Sequence, residues 1–192
     1  MRGHSGSSIE LKSEKIPLSL RIPTSDDILT VVAILSNKAN SEFDKSISAT
    51  PPDELEAIAT KWTVVTDPPT YRNFLVLHNE EPIGIAGFGW IGPCTENQAA
   101  DDLSRAGAAG VIIQPPARGK GLAYEALRLV FDYGFRELKF QEIRVGSHSG
   151  NVPMWMLMER KFGVETTKTP EVDRFGNDLL WTIQRTDYVL QS

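Results

Sequence analysis

A glycine-rich turn between a predicted strand and a predicted helix carries the clearest chemistry in the sequence. Residues 111–123 read VIIQPPARGKGLA, with Gly119 and Gly121 beside Arg118 and Lys120. The first N–H groups of a helix have no partner within it and carry partial positive charge, so an anion gains hydrogen bonds there. Glycines let a phosphate approach the backbone, and the two cations add charge. The turn predicts a site for a pyrophosphate ligand, although a plain tight turn with solvated charges is the alternative.

Two widely used phosphate-binding loops do not fit these residues. A Walker loop needs Ser or Thr after its Gly-Lys pair and another glycine five positions before that pair's glycine, whereas this chain has Gly121 and Gln114 there. A dinucleotide-binding fingerprint needs a third glycine at the position that Tyr124 occupies. The turn therefore belongs to neither class.

The residues instead match the pattern Arg-x-x-Gly-x-Ala, which Arg118, Gly121 and Ala123 form. Here the sequence resembles the GNAT superfamily of N-acetyltransferases, and residues 118–127 are most similar to the branch of ribosomal-protein alanine acetyltransferases. The order of predicted elements resembles that fold from residue 18 to about residue 188. The resemblance implies acetyl-CoA (coenzyme A) as cofactor and direct transfer to a primary amine of a small molecule or a peptide N-terminus.

The same resemblance implies which residues bind the cofactor. The loop amides would hold the pyrophosphate, the preceding strand would hydrogen-bond the pantetheine arm, and Asn151, at the start of a later helix, would contact the cofactor. The expected cofactor-binding residues are Val111, Ile112, Ile113, Arg118, Gly119, Lys120, Gly121, Leu122, Ala123 and Asn151.

Proton transfer has no obvious carrier in this sequence. The attacking amine must lose a proton, and the coenzyme A thiolate must gain one. The resembling family often uses a Ser three residues after the Asn or a Tyr about seven after it, but Met154 and Met158 occupy those positions. His148 is the first candidate base, because a histidine titrates near neutral pH. An exposed loop histidine bonded to Ser147 or Ser149 is the equal alternative.

Two further side chains are candidates for acid or base. Glu142 shares a strand face with Arg144, which suits a catalytic carboxylate and equally suits a structural ion pair. Tyr188, near the C-terminus, could serve as an acid, although a tyrosine packed at the edge of the fold is the alternative. The candidate catalytic residues are thus His148, Glu142 and Tyr188.

A few residues could bind the acceptor. Phe88, Trp90 and Trp155 could form an apolar acceptor pocket, although such residues are more often part of a core. Asp101 and Asp102 could attract a cationic amine, although a charged loop is usually only solvated.

Strands and helices alternate along the chain, with an early hairpin. This order predicts an α/β or α+β fold with a mixed, largely antiparallel central sheet of six to seven strands flanked by about four helices. Segment 37–50 is expected to be loop. Residues 1–16 are expected to be a flexible N-terminal segment, and residues 17–192 a single acyl-CoA N-acyltransferase domain. Strands are predicted over residues 18–22, 71–77, 82–91, 106–113, 141–146 and 179–184, and helices over 25–36, 53–65, 121–136 and 151–160.

Composition narrows the functional class. The chain has 192 residues, of which 41% are hydrophobic, enough for one domain with a core. A net charge of −5 argues against nucleic acid as a partner. A single cysteine, Cys94, with no Cys and His cluster, predicts neither a disulfide nor a metal site. Without a long apolar stretch we expect no membrane contact and a cytoplasmic location, as a monomer or homodimer.

Two other functions stay open from the sequence. The missing acid leaves room for a GNAT fold redirected to a reaction without acetyl transfer, with His148 or Glu142 as acid or base on a small molecule. The second open function is that of a non-catalytic module that binds acyl-CoA. Turnover without cofactor would identify the first, and binding without turnover would identify the second.

Overall fold

One mixed β-sheet organises the computed structural model, which describes residues 9–95, 103–169, 171–173 and 175–188. The strands lie in the order β1-β2-β3-β4-β5-β6-β8-β7. β5 and β6 run parallel, and the other neighbouring strands run antiparallel. The strands are β1 (Glu10–Lys12), β2 (Leu18–Arg21), β3 (Arg72–His78), β4 (Glu81–Pro93), β5 (Arg105–Ile113), β6 (Glu142–Ser147), β7 (Thr166–Lys168) and β8 (Leu179–Gln184).

Helices cover both faces of this sheet. Short 3-10 turns precede the first helix at Ser25–Asp27 and follow β5 at Pro115–Ala117, and the last helix continues as a π-helical turn through Leu157–Phe162. The helices are α1 (Ile28–Ser36), α2 (Lys38–Ser41), α3 (Lys45–Ser48), α4 (Pro52–Trp62), α5 (Leu122–Arg136) and α6 (Val152–Met156).

The long helix α5 packs on one face of the sheet. Its apolar residues recur at helical spacing, so Ala126, Leu127 and Val130 form one buried stripe. That stripe packs against Phe74 and Phe88 of the central strands, which are fully buried. Burial of these large side chains anchors α5, and with it the turn that precedes the helix.

Helices α1 and α4 cover the opposite face. α4 begins with Pro52, which is favourable in the first turn of a helix because no N–H partner is lost there. Its buried residues Leu55 and Ala59 share a core with Leu75 and Ile85 of the sheet. The sheet is therefore covered on both sides over its centre.

The sheet opens between its two parallel strands. β5 pairs with β6 only where residues 106–108 lie beside residues 142–144. Beyond that point, residues 109–113 keep β4 on one side and have no strand on the other, while the end of β6 pairs with β8 alone. The two strands thus diverge toward their carboxyl ends, and the resulting gap, which we call the split, ends beside the start of α5.

The predicted fold class is confirmed, and the details differ at the edges. The sheet has eight strands in the described residues, where six to seven were predicted. The additional strands are β1 and β7, each of three residues. β1 falls within the segment expected to be flexible, where Glu10–Lys12 pairs with β2; residues 1–8 lie outside the described residues. α2 and α3 form in the segment expected to be loop. Such short elements show no hydropathy period from which to predict them.

The described residues include no helix that is both long and apolar enough to cross a membrane. In the same part of the chain, no group of three His, Cys, Asp or Glu side chains is placed to hold a metal ion.

Candidate active site

The turn after β5 takes a backbone conformation that glycine favours. Gly119 and Gly121 have φ values of 75° and 76°, in the left-handed region. A Cβ atom at either position would meet no other atom within 4 Å, so no steric crowding requires glycine there. The backbone conformation is the reason for both glycines, and the space in front of the turn is open.

A row of free backbone amides follows from this turn. Within α5, the Glu125 N–H donates to the Gly121 carbonyl at 3.3 Å. The five N–H groups of residues 119–123 donate to no other residue in the described part of the chain. The N-terminal end of the α5 dipole adds partial positive charge at the same place. The turn therefore has the donor set that a pyrophosphate group needs.

The two cations of the turn lie against the protein itself. Arg118 donates from Nε to the Ile113 carbonyl at 2.8 Å, and from an NH2 group to the Ala39 carbonyl at 2.8 Å and to Asn40 Oδ1 at 2.7 Å. Lys120 Nζ donates to the Pro116 carbonyl at 3.1 Å. Arg118 is expected to bind the cofactor; in the structure its side chain bonds to Ile113, Ala39 and Asn40.

The strand before the turn forms one wall of the split. Val111 and Ile112 are half-buried and Ile113 is buried, and this part of β5 has no strand on its split side. An extended ligand can therefore lie along it. Asn151, at the start of α6, donates from Nδ2 to Ser147 Oγ at 3.2 Å and accepts from the Met154 N–H at 3.3 Å. Its amide is thus already used as a helix cap.

His148 lies on the loop between β6 and α6. Its Nδ1 atom accepts a hydrogen bond from the Gly150 N–H at 2.9 Å, and its ring stacks on Phe43 with a centroid distance of 6.1 Å. In a neutral ring this places the proton on Nε2, since Nδ1 is the acceptor. Nε2 has no hydrogen-bond partner among the described residues. In that tautomer the ring has a free N–H at Nε2 to offer a ligand.

Glu142 forms the ion pair that its spacing allowed. The carboxylate accepts from Arg144 Nε at 2.6 Å and from Gln184 Nε2 at 3.0 Å. Arg144 also donates to the Cys94 carbonyl. Ile143 and Val145 point into the core under α5, so Glu142 and Arg144 face the α1 and α4 side of the sheet by strand alternation.

Tyr188 lies on the other side of the sheet from that pair. Its ring packs on Phe131 and Phe135 of α5, with centroid distances of 6.1 and 5.0 Å. Burial, and then the charge of the nearby Asp132 carboxylate, raise the pKa of the Tyr188 hydroxyl above its ordinary range. These contacts match the packing alternative for Tyr188.

The split, the free amides and the sheet order together resemble a known enzyme fold, and sequence comparison decides which. The acetyltransferase (GNAT) domain profile matches residues 18–163. The chain belongs to the GNAT acetyltransferase family. Members of this family take the acetyl group from acetyl-CoA, and the donor set of residues 119–123 fits the pyrophosphate of that cofactor.

Similar proteins are known by sequence and by structure. An N-acetyltransferase 9-like protein of Caenorhabditis elegans is 32% identical over 71 residues, which cover 37% of this chain and 35% of that protein. The chain thus matches about a third of that relative's length.

Two solved structures show the same fold at low identity. RimL, a ribosomal L7/L12 alpha-N-protein acetyltransferase in complex with coenzyme A, has a TM-score of 0.73 and 13% identity, covering 94% of this chain and 100% of that one. A GNAT-family acetyltransferase from Bacillus anthracis has a TM-score of 0.68 and 18% identity, covering 93% and 99%.

The three aromatic residues expected to form an acceptor pocket have different surroundings in this GNAT domain. Phe88 is fully buried and packs edge-on against Phe140 at 5.0 Å, so it cannot line an open pocket. Trp90 is exposed on β4, and Trp155 has the Arg160 guanidinium over its ring at 5.8 Å. No ring contact among the described residues joins two of the three. Asp101 and Asp102 lie outside the described residues.

Sequence reasoning missed the polar residues that hold the turn of this GNAT domain from behind. Asn37 and Asn40 both donate to Gln114 Oε1 at 3.1 Å. These partners are more than 70 positions apart, and nothing in the spacing of either segment connects them. A polar residue between the apolar end of β5 and two prolines was the available signal, and Gln114 is that residue.

Proposed function

We propose that this GNAT enzyme transfers the acetyl group of acetyl-CoA directly to a primary amine, with the α-amino group of a peptide as the first candidate and a small-molecule amine as the second. The observation that carries the proposal is the position of the free amides of residues 119–123 at the open end of the split. A cofactor anchored there by its phosphates can extend its arm along residues 109–113 of β5.

The chain's own groups account for binding and orientation. The amides of residues 119–123 and the dipole of α5 bind the pyrophosphate, while the backbone of β5 is free to pair with the pantetheine arm. Bound acetyl-CoA supplies a thioester: the amine nitrogen bonds to its carbonyl carbon, the carbon–sulfur bond breaks, and the proton lost by nitrogen ends on sulfur. Binding both reactants in one split lowers the entropic cost of their meeting.

The acceptor binds on the same face of the sheet as α1 and α4, beside the open part of β5. Gly110 lies two residues before Ile112, which packs into the core of that face, and a Cβ atom at Gly110 would meet nothing within 4 Å. The Glu142 and Arg144 pair borders the same space on β6. A peptide acceptor is put first because the fold neighbour RimL is an alpha-N-protein acetyltransferase.

His148 is the side chain that we assign to the reaction, as a hydrogen-bond donor. Its Nδ1 atom is occupied by the Gly150 N–H, which leaves Nε2–H for the ligand. A neutral imidazole N–H can polarise a carbonyl oxygen, which stabilises the negative charge that develops during amine attack. Glu142 keeps a structural role in this proposal, because Arg144 and Gln184 already occupy it.

The test is turnover by the purified protein. Acetyl-CoA is mixed with peptides of varied first residue, with polyamines and with free amino acids, and release of the coenzyme A thiol is followed. We expect amine-dependent thiol release, with a stoichiometric amount of acetylated amine by mass spectrometry. Binding of acetyl-CoA without turnover on any amine would contradict the proposal and indicate a non-catalytic module. Conversion of a substrate without acetyl-CoA would indicate a redirected reaction.

A further inference from the structure

A polar cluster joins α2 to residues 115–121, which we call the acetyl-CoA turn, with Asn40 at its centre. Asn40 Nδ2 donates to the Ile34 carbonyl at 2.9 Å and to Gln114 Oε1 at 3.1 Å. Its Oδ1 atom accepts from the Arg118 guanidinium at 2.7 Å. Both polar atoms of the half-buried Asn40 side chain therefore have partners. Of these partners, Gln114 directly precedes the acetyl-CoA turn and Arg118 lies within it.

The cluster holds both ends of the 3-10 turn Pro115–Ala117, which leads into the two glycines. Gln114 precedes the 3-10 turn Pro115–Ala117, and Arg118 follows it. Gln114 Oε1 also accepts from Asn37 Nδ2 at 3.1 Å, and Arg118 also donates to the Ala39 carbonyl at 2.8 Å. The start of α2 is thus bonded to the residue before the turn and to the residue directly before Gly119.

This placement matters because the turn contains two glycines. Gly119 and Gly121 have few conformational restraints of their own, and a free turn of this composition would sample many states. The conformations of Gly119 and Gly121, both in the left-handed region, set the directions of the amides of residues 119–123. The hydrogen bonds from Arg118 to Ala39 and Asn40 hold the turn in this conformation before the ligand binds. This order lowers the entropic cost of binding.

The same segment reaches the other side of the split. Residues 37–43 include the Asn residues that bond to the turn and end at Phe43, whose ring stacks on His148 at an interplanar angle of 19°. A Cβ atom at Gly150 would also lie 3.2 Å from the Phe43 ring. One short segment therefore contacts the turn after β5 and the loop after β6, the two strands that diverge.

We propose that Asn40 is a positioning residue for acetyl-CoA binding: it holds Gln114 and Arg118 so that the amides of residues 119–123 face the cofactor together. The proposal rests on the function proposed above. Asn40 acts through Arg118 and Gln114, without touching the reacting atoms.

Calorimetry with acetyl-CoA tests this assignment in three variants of the full chain. Asn40→Ala removes all three hydrogen bonds, and we expect the Kd for acetyl-CoA to rise about tenfold. Asn40→Asp keeps the acceptor for Arg118 and loses the donor, so its Kd should lie between those of Asn40→Ala and the wild type. Lys38→Ala, at an exposed position of the same helix, is the matched control and should bind like the wild type.

Steady-state kinetics separate positioning from general damage. Asn40→Ala should raise the KM for acetyl-CoA by the same factor as the Kd, while kcat at saturating cofactor and the KM for the amine stay within about twofold of wild type. A merely structural residue would lower kcat and raise both KM values together. That second pattern would overturn the assignment.

A second pair of variants covers the case in which Asn40→Ala folds poorly. Gln114→Glu keeps an oxygen that accepts from Asn37 and Asn40, whereas Gln114→Leu has none. We expect Gln114→Leu to weaken acetyl-CoA binding several-fold and Gln114→Glu to bind nearly as the wild type. Equal Kd values for these two variants would overturn the proposal.

The outcomes distinguish this inference from the proposed function. If the wild type itself fails to bind acetyl-CoA, both fail. If the wild type binds acetyl-CoA and acetylates an amine while Asn40→Ala binds it equally tightly, the proposed function stands and the role of Asn40 is wrong.

Discussion

The β5 side and the β6 side of the split present different kinds of chemical group to a ligand. At the end of β5 the available groups are backbone amides, and their geometry follows from two glycines and a helix start within a few residues. On the β6 side the candidates are side chains: His148 directly follows the strand, Glu142 begins it, and both already have partners within the protein. The backbone site is encoded within a few residues, whereas His148 and Glu142 also depend on Phe43 and Gln184, which come from distant segments of the chain.

The largest expected effect comes from blocking the backbone site. Gly121→Glu places a side chain at a left-handed position and a carboxylate where the pyrophosphate would lie. We expect the Kd for acetyl-CoA to rise at least about 100-fold, because the phosphates meet a like charge and a distorted turn. Calorimetry with acetyl-CoA measures this directly.

Gly163→Glu is the matched control for that variant. Gly163 has a φ value of 70° and equally open surroundings, but it ends the π-helical turn after Phe162 and is not part of the turn after β5. Both variants should lose about 1–2 kcal/mol in the free energy of unfolding, from the backbone conformation alone. Similar acetyl-CoA affinities in the two variants would contradict the assignment of the turn.

The next largest effect is expected at His148. A Gln side chain can present its N–H2 group near the place of His Nε2, whereas an Asn side chain reaches only to the place of Nδ1. If His148 donates from Nε2, His148→Asn should lower kcat by about 30-fold and His148→Gln by about threefold. The pair is compared at saturating acetyl-CoA. Equal large losses in both variants would indicate a base in place of a donor, and no loss in either would remove His148 from the mechanism.

A third region, the start of α1, has a cluster of side-chain hydrogen bonds whose residues are all close in the sequence. Asp27 accepts from Arg21 at 2.6 and 2.9 Å, and from the Thr24 N–H and hydroxyl at 2.7 and 2.8 Å, all within six residues. The Arg21 hydrogen bonds, followed by those from Thr24, hold the pKa of Asp27 far below its ordinary range. The ionised form is therefore stabilised in the folded protein.

The pH dependence of stability tests this cluster. Because the folded pKa of Asp27 is lowered, its contribution is complete above the unfolded value of about 3.9 and is lost as pH falls below it. We expect Asp27→Asn to lower the free energy of unfolding by about 1–2 kcal/mol at pH 7. Denaturant titrations should show this gap shrinking below about pH 4. A gap that is the same at pH 7 and in acid would refute the charge-based account.

Glu142→Gln should have a smaller effect. The carboxylate is paired with Arg144, whose side chain is about one-third exposed, so the pair contributes at most about 1 kcal/mol. Since the ion pair is structural in this account, kcat/KM should change by less than about threefold. Steady-state kinetics across pH 6 to 9 would reveal a catalytic carboxylate as a large loss whose size varies with pH.

Tyr188→Phe is expected to have the smallest effect of all. The ring packs on α5 and its buried hydroxyl lies near the Asp132 carboxylate, so removing the oxygen leaves the packing of the ring intact. We expect the acetylation rate to stay within about twofold and the stability within about 0.5 kcal/mol of the wild type. A substantial loss of kcat, with a normal melting temperature, would make Tyr188 a catalytic acid after all.

Much of the fold could be predicted because its main elements are long and periodic. α5 and the strands of the early hairpin follow from apolar residues at helical or alternating spacing, and the turn before α5 follows from its glycines. The edge strands Glu10–Lys12 and Thr166–Lys168 could not be predicted, because three residues show no period and gain their hydrogen bonds only from a neighbouring strand.

The site could be predicted only where its chemistry lies in the backbone. The amides near Gly121 were predicted from local sequence. The hydrogen bonds of Arg118 could not be predicted, because its partners Ala39 and Asn40 come from another segment of the chain. The hydrogen bond to His148 Nδ1 comes from a backbone N–H two residues later, and only the folded loop brings the two together.

One titration tests the central claim most directly, namely that the amides of residues 119–123 bind the cofactor by its pyrophosphate. The wild-type protein is titrated by calorimetry with acetyl-CoA and, separately, with S-acetylpantetheine, which has the same thioester and arm but no pyrophosphate. We predict that acetyl-CoA binds at least about 100-fold more tightly, because only it can use the free amides and the α5 dipole. Equal affinity for the two ligands would contradict the account, since binding would then come from the arm alone.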